Sequence, residues 1–288
     1  MEKEELRKTI YSKIDEIPTL PAVVPKLLRL IESEKSNTDD IANAISQDPA
    51  LTSKILKVAN SAYYGFAQEI SSLDKAVPLL GFNMVKSLAL SIGVIRSLPS
   101  QKKSSRFSRQ GLWTHSLTVA TAMEKLGRRL RKGDDGYLFV IGLLHDIGKI
   151  VLDQFFCDLF QRALEEADNL AAYELYLAER TVIGFDHGEV GSMLLTRWKF
   201  PTAISDPIAI HHQREVPEGI NAYDITMLRI ADALALEPDP GEEGDAPTPD
   251  IPGSDLTFLG IGESDLEDIR IHLRDARDGI NDFFSAMG

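Results

Sequence analysis

Cysteine is almost missing: Cys157 is the only one in 288 residues. No internal disulfide framework can form, and a reducing compartment is expected. Its flanking Phe155-Phe156 predicts a small, buried hydrophobe rather than a reactive thiol. Positive charge is also short, with 31 Lys+Arg against 44 Asp+Glu and a net charge of −13. Such a surface repels a phosphate backbone, so nucleic acid is not an expected partner, although a local basic groove is compatible with that balance. Long apolar runs are absent. Leu88 to Ile95 is broken by Ser91 and Gly93 and falls far below the roughly 20 residues of a membrane span. Met1-Glu2-Lys3-Glu4-Glu5 leads into no apolar signal core. A soluble, cytoplasmic chain with no membrane partner is expected. No stretch alternates strictly between apolar and polar residues, and no internal repeat is visible, so the fold is expected to be all-α.

A hydrophobic content of 43 % is enough for a large core. Residues 6–35 read as helix broken at Ile17-Pro18-Thr19-Leu20-Pro21. Thr38-Asp39-Asp40 offers a cap to the next helix, and Asp48-Pro49 supplies an N-cap and first helical residue to the one after. Ser72 and Asn83 are expected to cap two further helices, stopped at Gly81 and Pro99. The joint at Gln47-Asp48-Pro49 is a helix stop, and the helix beyond it carries only Lys54 and Lys57. That argues against a DNA-reading helix-turn-helix. The polar link over 100–109 divides the chain into an N-terminal subdomain, 1–105, and a second one, 106–288. In the latter, 153–180 reads as amphipathic scaffold and 237–253 as a mobile acidic loop without chemistry. Asp224 is expected to cap one late helix, and Ser264 with Glu267 to box the start of the last. His272 lies off the apolar seam of that last helix and reads as a solvated surface residue.

The chemistry gathers on five of the six histidines. Gly142-Leu143-Leu144-His145-Asp146-Ile147-Gly148-Lys149 follows the apolar run Tyr137 to Ile141, and a core helix that ends in His-Asp must satisfy two polar groups. Gly148 is expected to turn the backbone there, and Lys149 to set a cation beside the carboxylate. His115 shares an apolar face with Val119, Ala122, Met123 and Leu126. Asp186 and Glu189 frame a capping box that puts His187 in a first helical turn, and Gly191 one turn on suggests a close approach. His211 and His212 are adjacent, so both face one centre only at a helix end. Asp232 lies in the stripe Ile225, Leu228, Ala235 and Leu236, where an ionised carboxylate needs a cation or several donors. A salt bridge to Arg229 or Lys149 is the competing account. His115, His145, Asp146, His187, His211, His212 and Asp232 together suit a transition metal: iron first, with manganese, nickel or zinc as alternatives. Seven ligands exceed the need of one ion, which favours a two-metal site bridged by Asp146, with Lys149 placed to neutralise a phosphate oxygen.

The series from His115 through His145-Asp146-Ile147-Gly148-Lys149, Asp186-His187-Gly188-Glu189-Val190-Gly191 and His211-His212 to Asp232 resembles the HD superfamily of metal-dependent phosphohydrolases. Leu20-Pro21-Ala22-Val23, Asp48-Pro49-Ala50-Leu51, Lys57-Val58-Ala59-Asn60-Ser61-Ala62-Tyr63-Tyr64-Gly65 and Ala76-Val77-Pro78-Leu79-Leu80-Gly81 resemble the HDOD domain, the HD-related output domain of bacterial signalling proteins, over roughly 10–235. The resemblance implies an all-helical HDOD fold and a signal-transduction role beside other signalling proteins, with an active phosphohydrolase as the alternative. A phosphorylated small molecule or cyclic nucleotide is the ligand class implied. Asp146 and Lys149 are the residues that would take part in hydrolysis. The related HD-GYP phosphodiesterases continue the double histidine with an acidic residue and a Gly-Tyr-Pro motif. Here the run is His211-His212-Gln213-Arg214-Glu215-Val216-Pro217, so cyclic di-GMP hydrolysis is not expected.

Overall fold

Proline and aspartate set where helices begin, and the apolar stripes set how they pack. The computed structural model describes residues 3–32, 38–99, 101, 103–130, 136–168, 170, 174–237 and 249–287. Among these residues there are sixteen α-helices and no strand. The first six are α1 (Lys3–Asp15), α2 (Val23–Glu32), α3 (Thr38–Ser46), α4 (Pro49–Ala59), α5 (Leu73–Leu80) and α6 (Phe82–Ser97). Then come α7 (Arg109–Arg129), α8 (Tyr137–Leu144), α9 (Ile147–Phe155), α10 (Cys157–Ala167) and α11 (Leu175–Val182). The chain closes with α12 (His187–Arg197), α13 (Thr202–Ile210), α14 (Ala222–Ala235), α15 (Gly253–Leu259) and α16 (Glu263–Met287). No single described helix is long and apolar enough to cross a membrane.

Several caps differ from expectation. Asp48 does accept from Leu51 N at 2.9 Å with Pro49 at N1. Ser72 holds the N-cap position of α5 but its side chain makes no capping bond. Gly81, not Asn83, precedes α6, and Asn83 Oδ1 instead accepts from Lys86 Nζ. Asn221 caps α14 by accepting from Tyr223 N, which leaves Asp224 in the first turn, where it suits the helix dipole. The last helix opens at Glu263 rather than after Ser264, and Asp265 reaches back to Gly262 N at 3.0 Å. Helix α15 is unanticipated, because its seven residues emerge directly from the acidic stretch, of which 238–248 lie outside the described residues.

The scaffold stretch 153–180 divides between the end of α9, α10 and α11. Cys157 heads α10 and is partly exposed rather than buried. Burial, then Asp153 and Asp158, push its thiol pKa up, so it stays a thiol. His272 is half-buried, not freely solvated, and burial, with Lys125 and Arg128 adding to it, lowers its pKa.

Helix α7 carries the centre of the packing and lies against α8, α14 and α16. Buried apolar residues from α1 to α16 form one continuous cluster. Where the chain passes from α6 to α7, the fully buried Asp153 carboxylate accepts from Ser104 N at 2.7 Å and Lys103 N at 3.2 Å. It thereby clamps the polar link onto α9. The Asn60–Gly65 turn is a junction between distant segments. Tyr63 OH meets Thr121 Oγ1 on α7 at 2.8 Å, its ring meets Phe283 edge to face, and Ala62 N donates to Asp282 on α16 at 2.6 Å. These contacts lock α16 across both halves and fix one wall of the region around His115.

Candidate metal centre

Five helix termini or faces deliver seven side chains to one place. His115 comes from the middle of α7, His145 and Asp146 from the junction of α8 and α9, and His187 from the first turn of α12. His211 and His212 succeed the end of α13, and Asp232 projects from α14. All seven predicted residues converge. His145, Asp146, His187 and His211 are buried and form the floor. His115, Asp232, His212 and Lys149 are partly exposed at the rim of a cavity of about 220 Å³.

Local structure explains the aim of each ring. His145 Nδ1 lies 2.7 Å from Gly142 O and His211 Nδ1 lies 2.8 Å from Ile208 O, one turn back in each case. A proton held there leaves Nε2 with its lone pair turned inward, the arrangement that orients metal-binding imidazoles. His145 Nε2, His211 Nε2 and Asp146 Oδ1 are buried and have no hydrogen-bond partner. Three such orphaned atoms in one cluster are costly unless something else satisfies them.

Asp146 faces two ways. Its Oδ2 is 3.5 Å from His145 Nε2 and 3.9 Å from His115 Nε2, while Oδ1 is 3.0 Å from His187 Nε2 but not aligned to accept a hydrogen bond from it. Asp232 Oδ1 contacts His115 Nε2 at 2.8 Å and stands 3.6 Å from His145 Nε2. Asp232 therefore pairs with histidines, and the salt-bridge account through Arg229 or Lys149 does not hold. Arg229 is engaged by Gln213 O and Asp255, and Lys149 Nζ by Asp146 Oδ2 at 2.6 Å. Three overlapping sets, His187/His211/His212, His115/His145/Asp146 and His145/His211/Asp232, each bring their ligand atoms within 4.8 Å of one another.

The crossing of α9 and α12 sets the distance from Asp146 to His187. A Cβ on Gly148 would stand 1.9 Å from His187 O and 2.7 Å from Gly191 N. Gly148 thus lies in the first turn of α9 and admits a neighbouring backbone, and is not the expected turn-maker. The close approach predicted at Gly191 is present, with Gly148 as its counterpart.

Glu179 is the residue that sequence reasoning passed over. Fully buried on α11, its Oε2 accepts from His187 N at 2.8 Å and pairs with His187 Nδ1 at 2.6 Å. It occupies the inner stripe with Leu175 and Val182, the same acid-among-aliphatics signal that Asp232 gives. One turn earlier Tyr176 stacks on His212, with ring centroids 4.3 Å apart.

Electrostatics reflect this crowding. Burial opposes charge on His187, but Glu179 and then Asp146 outweigh it and hold the pKa up at about 9. Burial, with His145 and His187 adding to it, drops His211 to about 4, and burial with His211 and His187 lowers His212 in the same direction. The 2.8 Å contact between His212 Nε2 and His187 Nε2 is then a proton on His187 donated to a neutral neighbour. Burial raises the carboxyl of Asp146, but His145, Lys149 and His187 together hold it well below the ordinary carboxylate range. A divalent cation fits this donor set because it replaces those protons while meeting the orphaned lone pairs.

Proton competition and the Glu179 contact each carry a testable expectation. Metal uptake must displace the His187 proton, so apparent affinity rises with pH by up to about tenfold per unit and levels off above about 9. Nickel titrations at about pH 7 and about pH 8, compared for proton release, check this. Glu179→Gln removes the charge that seats His187 and is expected to weaken binding by about 10–100-fold. Near pH 9 proton competition no longer masks the loss, and an unchanged affinity there would contradict it.

Comparison with known proteins places the chain in a family. Residues 17–214 match the HDOD domain, and the chain belongs to that family. An HDOD domain protein of unknown function from Geobacter sulfurreducens is similar in structure, with a TM-score of 0.78, 25 % identity and 97 % of each chain covered. A Shewanella amazonensis SB2B protein described as a candidate phosphohydrolase superposes with a TM-score of 0.75 at 24 % identity, over 97 % of this chain and 98 % of that one. At that identity the likeness concerns the fold. An uncharacterised protein of Treponema pallidum (strain Nichols) is 28 % identical over 261 residues, 89 % of this chain and 48 % of that protein. The chain spans about half the length, or less, of the curated relatives it matches.

Proposed function

We propose that this HDOD protein is a signal-transduction module built around a transition-metal centre held by His115, His145, Asp146, His187, His211, His212 and Asp232. The carrying observation is the set of buried, unpartnered atoms His145 Nε2, His211 Nε2 and Asp146 Oδ1. Asp146 presents one oxygen to His145 and His115 and the other to His187, which supports a dinuclear site with this carboxylate as the bridge. Iron is the first choice of metal for a mixed imidazole and carboxylate set. In this reading residues 1–105 are the HDOD-specific subdomain and 106–288 the metal-bearing one. The partners are other signalling proteins or a phosphorylated small molecule.

The second reading, a metal-dependent phosphohydrolase, is favoured by the cavity of about 220 Å³ lined by His115, Asp146, Lys149 and Asp232. When bound, the metal supplies Lewis acidity and an activated water there. Lys149, 2.6 Å from Asp146 Oδ2, would neutralise a phosphoryl oxygen there once a metal takes over that carboxylate. Leu175, Leu236 and Phe107 close the cavity walls. Cyclic di-GMP is not the expected substrate, because the run from Gln213 to Gly219 has no Gly-Tyr-Pro loop. Anaerobic purification and then elemental analysis test the metal. Phosphodiester turnover with iron, manganese or nickel, lost in Asp232→Ala, would decide for the enzyme, and metal without turnover for the regulatory module.

A further inference from the structure

The small cavity over the metal centre adjoins a larger one. His115, Gly111 and Leu236 line both, and the second extends for about 660 Å³ between α7 and α16. Its two walls are unlike a normal helix interface. On the α16 side stand Arg270, Arg274 and Arg277, successive turns of one helix face, and opposite them is the polar edge of α7 at Thr114. In a chain of net charge −13, this cavity is lined by three arginines against one carboxylate, Glu237. All three arginines lie beyond the 17–214 segment shared with the HDOD family.

We propose that this cleft is the binding site for an elongated ligand carrying two or more phosphate groups, of nucleotide size. One end lies toward His115 and the centre, and the other is held by Arg274 and Arg277. The idea rests on the metal-site reading only for what happens at the His115 end. Guanidinium forks match phosphate oxygens in pairs, which a lysine would not do as well. Arg270 is fixed as the root of the file by Glu237 at 2.7 and 3.0 Å and by Glu263 at 2.5 Å. Arg274 meets Glu267 at 2.8 Å, with both side chains substantially exposed, and an exposed pair of this kind exchanges cheaply for a phosphate. The volume lies within the range of small-molecule sites and far exceeds the needs of one inorganic phosphate.

The test is calorimetric titration of the full chain, stripped of metal, with ATP, and with adenosine as the uncharged comparison. Wild type is expected to bind ATP and not adenosine, with affinity falling as salt rises. Arg274→Gln/Arg277→Gln should lose at least about tenfold in affinity while keeping the wild-type circular dichroism and metal content. Arg106→Gln/Arg197→Gln, which removes the same charge elsewhere, should bind as wild type does. No ATP binding by wild type, unchanged binding by the first pair, or an equal loss in the second pair would each overturn the proposal. Because the titration is made without metal, arginine-dependent binding in a chain that never takes up metal would sustain the cleft while refuting the centre.

Discussion

His145→Ala, purified without air, is expected to retain less than about a tenth of the transition metal carried by wild type. The residue is 1 % exposed and is held by Gly142 O at 2.7 Å, and its free nitrogen faces both Asp146 and Asp232. The ring belongs to two of the three ligand sets, as His211 does, and it alone of the two also joins the set that holds His115 and Asp146. Its loss also leaves two carboxylates facing each other across a hole, so the ion loses a donor and the apoprotein loses a counter-charge. Bound metal should raise the unfolding temperature of wild type in a chelator-sensitive way, since it binds the folded chain alone. The variant should show no such shift. His272→Ala, on α16 and in none of the ligand sets, should match wild type in metal content and in the metal-dependent shift. Stoichiometric metal in His145→Ala would sink the assignment.

Among the described glycines, Gly148 is the one where an added methyl meets the tightest contact, so Gly148→Ala should be strongly destabilising. The added carbon meets His187 O at 1.9 Å, Gly191 N at 2.7 Å and His187 C at 2.8 Å, all backbone atoms that cannot rotate aside. Relief requires α9 and α12 to part, and overpacking of this kind costs about 3 kcal/mol or more, or about 10 °C of melting temperature in a chain of this size. The same parting moves Asp146 away from His187, so metal should be lost together with stability. Gly253→Ala, with no atom within 4 Å of the new carbon, should stay within about 0.5 kcal/mol of wild type. Thermal unfolding and metal analysis of the two variants side by side give the answer, and equal stabilities would refute the crossing argument.

Much of this was legible in the chain because polar residues were found where apolar ones belong. His115, His187 and Asp232 each interrupt an aliphatic stripe, and no strand pattern competes with helix. The adjacent His211 and His212 pointed to a helix end, and α13 does stop at Ile210. Glu179 escaped because glutamate is an ordinary helix former, and its stripe with Leu175 and Val182 lies in a Glu-rich stretch that reads as plain amphipathic scaffold. Gly148 was misjudged for a related reason. A glycine after His-Asp reads as a turn, whereas its cause is the backbone of α12, 39 positions further on at His187. The caps expected at Asn83, Asp224 and Ser264 lie two or three residues past the one that precedes each observed helix, since several acceptors precede each helix and tertiary packing selects among them.

The five imidazoles and Asp146 all fall inside the stretch that marks the family, but Asp232 and the arginine wall do not. An outlying arm of the polypeptide thus supplies both the second acid and the roof of the adjoining chamber. If the proposed centre and cleft hold, drift in that arm would disarm or retarget the protein while its hallmark signature stayed intact. Two cousins identical across the signature would then differ in whether they hold an ion at all.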